Sequence, residues 1–248
     1  GDQFLNGQWT IEVFCAIRSA LVLEVFILQA VDHIIIIIIS TTGSNNLLIN
    51  DRTKKGKGII ISALSICNDI TLGHFYIKAV LFVYKPIFLS TVLFNSQAWS
   101  NITTTQLLQL QTVQLKYFKR TMQVPNSCPN AFTFLELGIL SIKYEIHKRQ
   151  LMFLHHLVNL PPDQPMFQIL QRQKQLLFEK NWYNNIVLLL NRYSLNEMEL
   201  SVISKSKWKA IVYTAVSAHA FDELRAECRG KTKTFSLRYN KFKCQDYV

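Results

Sequence analysis

The stretch Thr103 to Pro161, TTTQLLQLQTVQLKYFKRTMQVPNSCPNAFTFLELGILSIKYEIHKRQLMFLHHLVNLP, constrains the fold more than any other part of the chain. In its first half Leu107, Leu110, Val113 and Tyr117 form one stripe, with Leu108, Leu115, Phe118 and Met122 beside it, the three-to-four residue spacing of a core-facing helix. Thr103 followed by Gln106 has the form of a capping box, in which the hydroxyl takes a free backbone amide and the glutamine reaches back. The run Pro125-Asn126-Ser127-Cys128-Pro129 ends the helix, because proline cannot continue it and Asn and Ser favour turns. A second helix is expected from about Ser141, with Ile142, Ile146, Phe153 and Leu157 on one face and Lys143, His147, Lys148 and Arg149 on the other. The pattern predicts a basic helical hairpin.

Charge is unevenly spread. The 248 residues carry 27 Lys and Arg against 16 Asp and Glu, a net charge of +11. Residues 1–50 contribute −3, residues 51–160 +8 and residues 161–248 +6, so all of the chain beyond residue 50 suits a polyanion. Nucleic acid and an anionic membrane surface are the usual partners of such a balance. With nearly half its residues apolar, the chain has sequence enough for one large or two small domains with real cores.

Along the chain, residues 1–40 form an apolar N-terminal segment. Arg18, Glu24 and Asp32 interrupt Phe14–Ile39, which argues against a membrane span, since a mid-helix charge costs about 2.5 to 3.5 kcal/mol on insertion. The six isoleucines Ile34 to Ile39 read as a short buried strand. Gly1 stands where a Met would open a complete chain, so a piece of a longer or processed protein is expected. Thr41 to Asn46 reads as a turn. Beyond it Arg52, Lys54, Lys55 and Lys57 surround Gly56 and Gly58, a pattern that fits a phosphate contact or, equally, a solvated helix start; GxxxxGK[ST] is absent. Ile59–Ile66 and Phe75–Phe94 read as apolar helices, with Pro86 a kink or restart.

Pro161-Pro162-Asp163-Gln164-Pro165 marks a boundary, which divides the chain into a helical region 41–160 and a C-terminal helical region 161–248. In the latter, Met166–Lys180 reads as a helix, Asn181 to Asn185 as a break, and Ser194 with Glu197 as a second capping box. Trp208, Ile211, Val212, Ala215 and Leu224 lie on a helix that Gly230 stops. The tail mixes Lys231, Lys233, Arg238, Lys241 and Lys243 with Phe235, Tyr239, Phe242 and Tyr247, which suits either single-stranded nucleic acid or a strand covering the preceding helix.

Five cysteines, an odd number without CxxC, point to a reduced intracellular protein. Cys228 and Cys244 near His219 lack the paired spacing of a zinc knuckle, and His155-His156 reads as half core and half surface. Asn101-Ile102-Thr103 matches a glycosylation sequon, but nothing else points to secretion.

Several strings agree with one family. Leu135-Glu136-Leu137-Gly138, the Ile142 to Ile146 spacing, Lys148-Arg149-Gln150-Leu151 and Phe153-Leu154-His155 resemble the region after the polymerase palm of non-LTR (LINE-type) retrotransposon reverse transcriptases. Upstream, Asp51-Arg52-Thr53-Lys54-Lys55-Gly56-Lys57-Gly58-Ile59, Leu72-Gly73 with Lys78, and Ser96 to Trp99 with Ile102-Thr103 resemble their thumb. Downstream, Lys205 to Lys209 and Gln245 to Val248 resemble their C-terminal tail. The likeness runs from about Ser40 to Val248 and does not extend to the isoleucine run.

The resemblance implies a mostly α fold: a thumb-like helical bundle, then a second helical segment, with at most one or two short strands. It implies binding to the backbone of RNA or an RNA–DNA hybrid, and the partners it brings are the palm and fingers missing from this chain. The candidate nucleic-acid residues are Arg52, Lys54, Lys55, Lys57, Lys116, Lys119, Arg120, Lys143, Lys148 and Arg149. Catalytic residues, a cofactor, a small-molecule substrate and a membrane are not expected. The family's palm holds Mg²⁺ on an Asp-Asp loop, and this chain has no adjacent Asp pair; its adjacent acidic pair is Asp222-Glu223. Alone it is expected to be inactive as a polymerase. The alternative reading is a decayed retroelement fragment, or a helical protein-interaction module without a nucleic-acid role.

Overall fold

The computed structural model describes residues 46–68, 80–100, 102–176 and 181–230. The isoleucine run, residues 41–45 of the expected Thr41-to-Asn46 turn, Lys78, Phe75 to Ala79 and the basic aromatic tail lie outside these residues, and Asn46 itself opens the first helix. Among the described residues the chain is mostly helical and no strand is found. The helices are α1 (Asn46–Asn68), α2 (80–92), α3 (Thr104–Thr121), α4 (Asn130–Leu137), α5 (Ile142–Val158), α6 (Pro165–Gln175), α7 (Trp182–Arg192) and α8 (Lys205–Gly230). Short 3₁₀ turns stand at Ser96–Ala98 and Glu197–Glu199.

Thr103 closes the predicted capping box: its hydroxyl accepts the Gln106 amide at 3.3 Å, and the Gln106 side chain accepts the Thr103 amide at 3.0 Å. The helix it starts turns Leu110, Val113, Tyr117 and Phe118 inward, while Leu108 remains exposed. It ends at Met122, ahead of the proline run, with Gln123 at φ 54. Pro86 lies within a π-helical turn, Tyr84–Leu89, in the middle of α2. A proline removes one i→i−4 bond and its ring needs room, and the widened turn supplies it. Ser90 helps to close that turn by donating to the carbonyls of Pro86 and Ile87.

Gly56 owes its place to packing. A Cβ there would stand 3.0 Å from Val92 Cγ2 and 3.1 Å from Val113 Cγ1, so α1 sits so close to α2 and α3 that a side chain would make these valines give by a few tenths of an ångström. Gly58 has no such reason, because a Cβ there meets nothing within 4 Å. A glycine inside a helix costs about 1 kcal/mol against alanine, and nothing among the described residues offsets that cost at position 58.

The apolar residues gather in two cores. The first joins α1, α2, α3 and α4 to Ile142 and Ile146 of α5, and contains the rings of Tyr84, Phe88, Tyr117 and Phe118, centroids 4.6 to 5.9 Å apart. The second places Tyr144, Leu151, Leu154 and Leu157 of α5 against α6, α7 and the first half of α8. The end of α8 then returns Leu224 and Cys228 to the first core. Packing therefore runs across the Pro161 to Pro165 turn, through α5 and α8. Gln114, fully buried, ties the centre: its amide nitrogen donates to the Tyr84 hydroxyl at 2.6 Å and the Leu140 carbonyl at 2.8 Å, and its oxygen accepts the Ile142 amide at 3.0 Å.

Three local expectations are corrected. The break expected over Asn181 to Asn185 holds at Asn181 alone, which is extended and caps α7, its side-chain oxygen accepting the Asn184 amide at 2.8 Å, while Trp182 to Asn185 are helical. Ser194 makes no capping box; it sits at φ 52 after α7, and Asn196 caps the 3₁₀ turn instead. Nor does α5 carry a solvated basic face. It packs against α3, α6, α7, α8 and the Ser96–Ala98 turn, so Lys148 and Arg149 have to be satisfied inside the protein.

Candidate functional site

The ten cations expected to meet nucleic acid fall into three groups. Four are taken up by the fold. Arg52, fully buried, donates to the Thr91 carbonyl at 3.4 Å and lies 5.2 Å from the Phe94 ring centroid. Arg149 approaches the same end of α2 from another side, donating to the carbonyls of Leu93 at 2.9 Å and Leu89 at 3.2 Å. A helix ends with unpaired carbonyls and a partial negative charge, and a buried end needs donors. These two guanidiniums supply them, and burial lowers the affinity of Arg149 for its proton. Lys148 pairs with Glu145 at 3.0 Å and lies 4.2 Å from the Tyr213 ring centroid.

Lys119 completes this group. Its ammonium donates to the Asn126 carbonyl at 2.8 Å, the Cys128 carbonyl at 2.6 Å and Asn130 Oδ1 at 2.9 Å. Three donors meet three acceptors of one loop, and the proline run after α3 is folded around the charge. Lys119→Met is expected to cost about 2 kcal/mol of stability, measured by urea unfolding, because it strands these acceptors. A variant as stable as the wild type would show that the loop holds itself.

Two more cations are paired with carboxylates near the surface. Lys55 meets Asp51 at 3.2 Å one turn away, and Lys143 meets Glu223 of α8 at 3.2 Å with the Tyr144 ring 4.7 Å beneath it. The remaining four, Lys54, Lys57, Lys116 and Arg120, are exposed.

Those four come together through the seam between α1 and α3. The helices run side by side in the same direction: Gln106 donates to Asn46 Oδ1 at 2.7 Å, Gln109 to Asn50 Oδ1 at 2.8 Å, and Gly56 meets Val113. The Asn50–Gln109 bond is exposed and marks the solvent side of the seam. Lys54 and Lys57 follow Asn50 by four and seven residues, and Lys116 and Arg120 follow Gln109 by seven and eleven, the spacings that keep side chains on one helical face. The same register sets Lys57 about level with Lys116. α3 holds no acidic residue, and the one acid of α1, Asp51, is engaged by Lys55. The outcome is a one-sign face bordered by exposed Leu47, Ile61 and Leu108. Asn50 and Gln109 escaped the reading of the sequence, although their seven-residue spacing to Lys57 and Lys116 was there to find.

A second cluster lies where α5, α7 and α8 meet. His147 Nδ1 is 2.5 Å from the Tyr193 hydroxyl, and the His147 ring stands edge-on to Tyr144. The His219 ring faces both Tyr193 and Tyr144, and its Nδ1 is buried without a hydrogen-bond partner. Burial, with the charges of Arg192 and Lys143 and the nearby His219, lowers the His147 pKa from 6.5 to about 3. Burial pushes Tyr193 up to about 12. Both rings are then neutral at pH 7, so Tyr193 donates and Nδ1 accepts.

Of the adjacent histidines, His155 is buried, with its Nε2 2.9 Å from the Ile203 carbonyl and its ring stacked on Trp208, while His156 is exposed. Cys228 is packed into the first core, and Cys244 lies outside the described residues. Among the described residues no three His, Cys, Asp or Glu side chains converge as metal ligands, and no helix is long and apolar enough to cross a membrane. Comparison with family models, curated proteins and solved structures finds no match to this chain.

Proposed function

We propose that the chain binds the sugar-phosphate backbone of RNA or an RNA–DNA hybrid on the α1–α3 face, as the non-catalytic thumb and post-palm region of a LINE-type reverse transcriptase. The observation that carries this reading is the convergence of Lys54, Lys57, Lys116 and Arg120 on one exposed face whose two helices leave no acid unpaired. Cations without a partner in the fold keep their full attraction for phosphate, and contacts to the backbone need no base readout. The chain's motif likeness to the family supports the assignment to a thumb. Exposed Leu47, Ile61 and Leu108 beside the cations suit the apolar contact that the polymerase palm would make. They also favour the second reading, a helical module for a protein partner, in which the charge has no ligand.

Salt separates the two. Binding of a fluorescein-labelled RNA–DNA hybrid, followed by anisotropy from about 50 to 300 mM KCl, is expected to give log K falling with log salt at a slope of about −3 to −4, the release expected for four phosphate contacts. Absence of binding at the lowest salt, or a slope near zero, would overturn the nucleic-acid reading.

A further inference from the structure

We propose that Gly58 is the point where the nucleic-acid backbone comes closest to this chain, a bare position on the exposed side of α1 at which a phosphate and its sugar rest against the helix. The inference builds on the α1–α3 face proposed above and adds the place of contact. Of the two glycines in α1, Gly56 lets three helices close on one another, whereas a Cβ at Gly58 would enter open space. The fold therefore makes no use of the missing side chain at 58, in the middle of a 23-residue helix that would be better formed with alanine there.

Its surroundings supply the use. Lys54 stands one turn before Gly58 and Lys57 beside it, both exposed, and exposed Ser62 stands one turn after. A phosphate lying on bare backbone can accept from both ammonium groups at once, with the serine hydroxyl within reach of the next phosphate or sugar. Any side chain at 58 would hold the polyanion away from the helix and lengthen both contacts. A glycine is the residue that lets backbone and ligand approach most closely, and here the ligand side of that approach is lined by positive charge.

The test is a pair of measurements that should move in opposite directions. In the full chain, Gly58→Ala is expected to raise the melting temperature by about 2–4 °C. The same variant should weaken binding of a labelled RNA–DNA hybrid about fivefold. Because no cation is lost, the salt slope should stay as in the wild type. Gly58→Lys adds a charge to the face, yet should also bind more weakly. Unchanged affinity for Gly58→Ala, or tighter binding for Gly58→Lys, overturns the inference while leaving the basic face intact as the binding site. A wild-type chain that fails to bind the hybrid at low salt removes the face and, with it, the role of Gly58.

Discussion

With Lys54, Lys57, Lys116 and Arg120 all changed to Glu, hybrid affinity at low salt is expected to fall about a thousandfold while the fold stays intact. Each of these side chains is exposed, and among the described residues none is held by a carboxylate or a helix end. Removing a phosphate contact costs on the order of 1 kcal/mol at low salt, and an acid in its place adds repulsion, so four changes on one face compound to several kcal/mol. Exposed substitutions away from caps and cores usually change stability by under about 0.5 kcal/mol, so the urea midpoint should hardly move.

The control is a second basic surface. Lys205, Lys207 and Lys209 are exposed at the start of α8. Changing these three to Glu removes a comparable charge from another part of the molecule and should leave affinity within about threefold. Equal losses in the two variants would mean that net charge, and not the α1–α3 face, attracts the hybrid. Substituting Arg149 or Lys148 cannot serve as such a test. Arg149 holds the end of α2 and Lys148 ties Glu145 to the Tyr213 ring through its own ammonium, so their loss would be read as unfolding.

The difference between the two kinds of cation was partly legible in the sequence. Arg52 occupies the stripe Ile49-Arg52-Thr53-Gly56-Ile60, and Lys148 the stripe Tyr144-Lys148-Leu151-His155, both at core spacing. A cation in register with buried neighbours is itself a sign of an internal partner, whereas Leu47-Asn50-Lys54-Lys57-Ile61 traces the exposed side. The capping box at Thr103, the helical repeat of α3 and the split between His155 and His156 follow from neighbours in sequence, and the structure agrees with each.

What receives the buried charges was not legible. The Thr91 carbonyl that takes Arg52 and the Leu93 carbonyl that takes Arg149 lie 39 and 56 residues away, and periodicity carries no information over such distances. The same limit hid the solvent side of α5. Its pattern of Lys143, His147, Lys148 and Arg149 is that of a surface helix, and elements distant in sequence cover it: the end of α2 at Arg149, Tyr193 after α7 at His147 and α8 at Lys148. Gly56 and Gly58 looked alike for the same reason: the valines that distinguish them belong to α2 and α3.

Acid should loosen the joint at His147. In the unfolded chain His147 takes a proton near pH 6.5, whereas in the fold it resists until about pH 3. Above pH 6.5 the ring is neutral in both states and has no effect on stability. Below that, the unfolded state binds the proton and the folded state does not, so stability falls by about 1.4 kcal/mol per pH unit until the folded pKa is reached. By pH 4.5 this one ring should cost roughly 2 to 3 kcal/mol, a large part of the stability of an ordinary domain. The groups facing the ring deepen the effect: Arg192, Lys143 and His219 all disfavour a charge on it, and Tyr193 keeps its proton and offers no negative charge. Since His147, Tyr193 and His219 belong to α5, α7 and α8, a proton forced into this cluster would part α8 from α5 and open the second core. His147→Gln keeps an acceptor for the Tyr193 hydroxyl but cannot titrate, so its urea midpoint should change far less between pH 7 and about 4.5 than that of the wild type. Parallel loss of stability in the two proteins, or a His147 imidazole that titrates near 6.5 in the folded protein by NMR, would mean that the ring is already open to water.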